Sequence, residues 1–127
     1  MTSWEKWSPY ALSVLRIVAA LSLLQYGLQK YFGFPSAGPE MSTLLWIQGA
    51  IEIVGGLLLL AGAWTRLVAF ILCGDMAAAY FIAHLPRSFF PAVNGGEVVL
   101  LFCFIFLYLA CVGAGPWSVD ETALKRI

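Results

Sequence analysis

Charge is what this sequence has least of. Charged residues fill 11% of its 127 positions, against about 25% in an ordinary soluble domain. Seven basic and seven acidic side chains cancel to a formal net charge of zero, so the basic surplus of a nucleic-acid binder is missing. The chain has one histidine and three cysteines, Cys73, Cys103 and Cys111, with no CxxC pair. That excludes the usual dithiol redox motif, offers no metal-ligand spacing, and leaves the cysteines as small core residues inside apolar runs. Also lacking are a dinucleotide fingerprint, a haem-binding pair and any low-complexity segment. The N-terminal run has no small-residue cleavage site, so it reads as a retained span rather than a signal peptide.

What the chain does have is apolar length. It is 61% hydrophobic, with a mean hydropathy of +0.87, and four apolar stretches of roughly 20 residues consume most of it. The spans are expected at residues 9–31, 42–63, 65–84 and 94–112, separated by the breakers FGFPSAGP, GAWTR and LPRSFFPAVNGG. Ser8 is the expected N-cap of the first, with Pro9 at the first helical position. The runs are continuous and show no period-two alternation, which favours helices over barrel strands. The fold class expected over residues 1–127 is therefore all-α, an integral membrane antiparallel four-helix bundle in contact with the lipid bilayer.

Four spans put both termini on one side. That side carries Lys6, Arg66, Lys125 and Arg126, against Lys30, Arg87 and His84 opposite, so the positive-inside rule predicts cytoplasmic termini. Trp4, Trp7, Trp64 and Trp117 form an aromatic belt at the same face, and Trp46 marks the other.

Ionisable residues within the spans carry the functional information, because a charge at bilayer depth costs about 2.5–3.5 kcal/mol on insertion scales and normally faces the bundle interior. Helical spacing groups Gln48, Gly49, Glu52 and Gly56 on one face of the second span, Arg16, Ala20, Leu23, Gly27 and Lys30 on one of the first, and Asp75 with Ala78, Ala79 and Ile82 on the third. An inner group of Arg16, Glu52 and Asp75, with Gln48, follows as a buried charge network. Two readings stand for it: a register lock, or a proton-handling site in which Glu52 or Asp75 is carried neutral unless His84 is charged. An outer group is expected from Lys30, His84 and Glu97, with Glu97 heading a stripe of Leu101, Phe104, Tyr108 and Cys111. Phe34 and Phe81, with Phe32, Phe89 and Phe90, lie at the same end. An apolar surround with a few convergent polar groups suits a flat lipophilic ligand, while simple interfacial packing is the competing reading.

The ordered set QYGLQKYFGFP after Arg16, GAIEIVGGLLLLAGAWTR, Asp75 with Met76, NGGE and GAGPWSVD resembles the DoxX family of small bacterial membrane proteins, from Leu15 to Asp120. The resemblance implies a four-helix bundle in the bacterial inner (plasma) membrane, with Lys30, Glu52, Arg66, Glu97 and Asp120 in recurrent motifs. The ending WSVD departs from the commoner Ser-Leu-Asp form. Some relatives are quinone-reactive membrane subunits of thiosulfate oxidation, and others are associated with thiol or quinone stress. The leading expectation is a redox-associated subunit binding a quinone or similar lipophilic acceptor and acting with a partner oxidoreductase; as an enzyme it is at most the quinone-reactive membrane subunit. A structural or assembly subunit without a ligand, and a small transporter or channel formed by a homo-oligomer, are the alternatives.

Overall fold

The computed structural model describes residues 3–34, 36 and 38–124. Lys125 and Arg126, half of the basic residues assigned to the terminal face, lie outside the described residues. After a 3-10 turn at Glu5–Trp7, helix α1 runs Ser8–Phe32, α2 Thr43–Ala61, α3 Thr65–Ala79, the single turn α4 Pro91–Asn94, and α5 Glu97–Val112. A π-helical turn, Tyr80–His84, and a 3-10 turn, Leu85–Arg87, prolong α3, and a second π-helical turn, Asp120–Leu124, follows α5. No strand occurs among the described residues. The molecule is an all-α membrane bundle.

Among the described residues three helical stretches are long and apolar enough to cross a bilayer: Glu5–Phe32, Thr43–Ala61 and Thr65–Arg87. Helix α5 has 16 residues, about 24 Å at 1.5 Å per residue, short of a hydrocarbon core of about 30 Å. Asn94, expected to begin this span, closes α4 instead, and Gly95 at φ +73° breaks the chain before Glu97.

The caps follow from local chemistry. Ser8, expected as an N-cap, has helical backbone (φ −52°, ψ −46°) because the preceding 3-10 turn runs directly into α1. At α2 the Ser42 hydroxyl accepts from the Leu45 N–H at 3.3 Å, satisfying one orphan donor of the first turn. Helix α3 is capped from a distance: the Asp120 carboxylate accepts from the N–H groups of Trp64 (2.7 Å) and Thr65 (3.0 Å), while Trp64 turns the corner at φ +49°.

Helix α1 packs along α2 and α3 along α5; the two pairs meet chiefly through α2 and α3, and α1 barely touches α5. Ala20, Leu23, Leu59, Leu72, Phe106 and Leu109 are fully buried between them. Large apolar side chains such as Val18, Leu57, Phe70 and Leu101 point outward, as lipid contact requires. Two expected faces turn out rotated. On α3 the buried seam is Val68, Ala69, Leu72 and Met76, while Ala78 and Ile82 are exposed, so Asp75 sits on the flank of the seam, toward α2. On α5 the stripe Glu97, Leu101, Phe104, Tyr108 and Cys111 is exposed, and Phe102, Phe106 and Leu109 are buried. Helices apolar all round give little angular contrast, and on α5 Glu97 is also a poor pointer because near a helix end an ionisable residue can reach the interface.

Arg16 corrects a third expectation. Although it is 1% exposed, it pairs with neither Glu52 nor Asp75. Its guanidinium donates to the carbonyls of Ala114, Trp117 (2.7 Å) and Leu60 (3.4 Å). These are carbonyls left over at the end of α2 and in the loop after α5, where a planar fork of donors finds several orphan acceptors at once. Ser13 joins the loop by accepting from the Trp117 N–H at 3.1 Å. The Asp120 N–H closes the arrangement on the Gly62 carbonyl at 3.0 Å. Arg66 acts similarly at the surface, donating to the carbonyls of Cys111, Ala110 and Val112 at the end of α5, where a cation also favours the helix dipole.

Candidate functional site

At the other end of the bundle, α1 and α2 cross where both carry glycine. A Cβ on Gly27 would meet the Ile53 side chain at 2.7 Å and the Gly49 carbonyl oxygen at 3.2 Å. One on Gly49 would meet the Tyr31 ring at 2.8 Å and Lys30 Cβ at 3.2 Å. Small residues let the backbones approach, and one turn beyond each glycine stands a charge: Lys30 three residues after Gly27, Glu52 three after Gly49. Lys30 Nζ reaches Glu52 Oε1 at 2.5 Å, with side chains only 9% and 3% exposed. Above the pair the Tyr31 hydroxyl donates to the Trp46 carbonyl at 2.6 Å, and their rings lie 4.7 Å apart.

Facing this hairpin, the π-helical turn and the α4–α5 corner are organised by Asn94. Its amide donates to the Tyr80 hydroxyl (3.1 Å) and the Ser88 carbonyl (3.0 Å), and its Oδ1 accepts from the Gly96 N–H (2.8 Å). His84 stacks on Tyr80 and places Nδ1 3.1 Å from the Asn94 carbonyl. A carbonyl can only accept, so Nδ1 carries a proton, leaving Nε2 as the remaining functional atom of the ring. A π-turn is a frequent mark of functional positions in helices.

Between the two halves lies a cavity of about 410 Å³, within the range of small-molecule sites. Its apolar wall comes from Leu23, Tyr26, Met76, Val99 and Phe102, and its polar groups are Gln29, Lys30, Gln48, Glu52 and His84. Gln48 also lines a second, smaller space of about 90 Å³ that contains Asp75. Asp75 Oδ2 is buried there without a hydrogen-bond partner among the described residues. A larger cleft, about 460 Å³, opens at the terminal end beside Arg66 and Asp120, but both charged groups are already spent on helix ends. The cavity next to the Lys30–Glu52 pair is therefore the better candidate for a ligand site. Among the described residues no group of three metal-ligating side chains occurs.

Comparison with known proteins bears on the same residues. The DoxX family profile matches residues 11–85, which include Lys30, Glu52 and His84. The chain belongs to the DoxX family. It is 41% identical over 134 residues to an uncharacterized protein of Haemophilus influenzae, covering 99% of this chain and all of that one. It is 26% identical over 137 residues to an uncharacterized membrane protein of Mycobacterium tuberculosis, covering 93% of this chain and 84% of that one. No solved structure matches it.

In this DoxX chain the outer group expected from sequence is partly assembled. Lys30 and His84 line one cavity, but Glu97 does not join them: it is exposed in the first turn of α5, where the positive end of the helix dipole suits a carboxylate. Glu52 takes the place expected of Glu97, and so belongs to the outer group rather than to Arg16. Phe34 and Phe81 are 66% and 63% exposed and form no cage. Gln48 and Asp75 remain beside Glu52. Sequence reasoning missed Asn94 and the cavity wall at Tyr26 and Phe102. The repeated spacing Gly27-x-x-Lys30 and Gly49-x-x-Glu52 was the available signal for the ion pair.

Proposed function

We propose that this DoxX protein is a redox-associated subunit of the bacterial inner membrane that binds a quinone, or a similar lipophilic acceptor, between its two helix pairs. The observation that carries the reading is a buried ion pair, Lys30–Glu52, set in the wall of an otherwise apolar cavity. Ion pairs at bilayer depth are expensive and tend to mark ligand or proton sites, and the Arg16 end already supplies what the bundle needs to lock its register. In this reading α5 serves as a fourth span, extended by α4 and the loops, and both termini are cytoplasmic.

The residues fit such a ligand. A bound quinone supplies a two-electron, two-proton acceptor. Lys30 keeps two N–H bonds beyond the one it gives Glu52, enough to hold a ring carbonyl. Glu52 and His84 are titratable groups positioned to exchange protons at the ring, and Phe102 and Tyr26 exclude water from it. With no CxxC and one histidine in the sequence, electrons come from a partner oxidoreductase. The transport reading has less support, because a fully buried apolar layer of Leu23, Leu59, Leu72 and Phe106 separates the cavity from the Arg16 end.

Purification in lipid nanodiscs followed by solvent extraction and mass spectrometry tests this. A stoichiometric quinone is expected in the wild type and lost in Lys30→Met and in Glu52→Gln. Lipid-retaining preparations without quinone, or variants that keep it, would leave the assembly-subunit reading in its place.

A further inference from the structure

We propose that the ligand of this site is a neutral-headed amphiphile with a single long tail, and that its tail lies in a groove between α1 and α5 that opens sideways to the bilayer. The inference rests on the reading of the head site above. A groove of about 250 Å³ runs between Leu15, Val18, Ala19 and Ser22 of α1 and Leu101 and Ile105 of α5. Val98 and Phe102 line both this groove and the head cavity, so the two spaces adjoin at these two side chains. The groove exists because α1 and α5 scarcely touch, and because α1 presents small side chains, Ala19 and Ser22, where it faces α5.

Its direction matches a membrane amphiphile. The head cavity lies at the Lys30 and His84 ends of α1 and α3, near the interface. From Ser22 to Leu15 the groove runs roughly 10 Å along α1, through the middle of the span, so a tail that enters it points away from the interface at which the head lies. The ring of Phe102 stands at the junction, edge-on to Tyr26 with centroids 6.3 Å apart and stacked on Phe106 at 5.5 Å.

Charge selects the head. Among the described residues Lys30 is the only fixed cation lining the cavity, and Glu52 matches it, so a phospholipid phosphate finds no spare positive charge there. A neutral ring with carbonyl acceptors fits the donors of Lys30, Gln29 and Gln48. A competing apolar groove of about 320 Å³ between α2 and α3 shares no residue with the head cavity, so it cannot hold the tail of a ligand whose head is at Lys30.

The test uses the full chain in nanodiscs with a benzoquinone bearing a decyl tail tipped with a photoreactive group, and the same ring without a tail, compared at equal mole fraction in the membrane. Labelling is expected on α1 at 15–22 and on α5 at 101–105, and Ser22→Trp, which fills the groove at a position outside the head cavity, should weaken the tailed compound about tenfold while leaving the tailless one unchanged. Leu107→Trp, an exposed position of α5 away from the groove, should change neither. Labelling on α2 and α3, uniform labelling of lipid-facing surfaces, or equal labelling by a photoreactive phosphatidylglycerol would overturn the groove assignment, as would a Ser22→Trp variant that binds the tailed compound normally. In those cases Lys30-dependent binding of the tailless ring would still stand for the head site. If neither compound binds the wild type, the head-site reading falls and takes the groove with it.

Discussion

Two cations sit on the same stripe of α1, roughly 21 Å apart along its axis, and they have opposite surroundings. Arg16 is enclosed by backbone: its guanidinium donates to the carbonyls of Ala114, Trp117 and Leu60 and its loop is tied back through Asp120. Lys30 meets a single carboxylate, Glu52, beside a cavity. A planar fork that satisfies orphan carbonyls holds a fold together, whereas a compact ammonium with donors to spare leaves room for something else. The depth of a charge in the membrane does not distinguish these roles. The identity of its partners does.

The comparison can be broken from either end. The largest effect is expected at Arg16: Arg16→Met leaves buried carbonyls without donors at about 1–3 kcal/mol each, so unfolding in mixed micelles should show a loss on the order of 4 kcal/mol, and Arg16→Lys should recover little. Next comes Glu52→Gln, which strands the Lys30 charge; stability measured the same way should fall by about 3 kcal/mol, together with ligand binding. Gly49→Leu should cost about 1–3 kcal/mol through overpacking against Tyr31 and Lys30, and a double-mutant cycle with Lys30→Met should show that part of this loss is the ion pair. Asp120→Ala removes the cap of α3 and should cost about 1 kcal/mol, read as faster hydrogen exchange at Trp64 and Thr65. The smallest stability change is expected from the double replacement Lys30→Met with Glu52→Leu, within about 1 kcal/mol of wild type, yet with no ligand retained. That result would separate a functional pair from a structural one most sharply.

Much of this was legible beforehand, for physical reasons that also explain the failures. Long apolar runs bounded by glycine and proline specify helices, and the seams of α1 and α2 were readable because glycine and charge alternate with lipid-facing leucine and valine. The seam of α5 was not, since Val98 to Val112 is apolar on every side and Glu97 misleads at the end. Helical spacing grouped Arg16 with Glu52, but that grouping ignored the length of an arginine side chain and the supply of free carbonyls in the GAGPW segment. The pairing of Lys30 with Glu52 follows instead from the Gly27–Gly49 crossing, a contact between helices that no single-span analysis can see. His84 reaches the cavity through a π-turn, which no periodic pattern encodes.

The shell around Arg16 also sets an order of events. Ala114 and Trp117 lie 98 and 101 residues downstream of it, which at about 5–20 residues per second of synthesis is on the order of 5–20 s. During that interval the first hairpin offers the guanidinium only the Leu60 carbonyl at the end of α2, and its flexible stem lets it reach toward the interface. Completion of the Arg16 shell therefore waits on the loop after α5, and a chain cut short before that loop leaves the guanidinium without two of its acceptors.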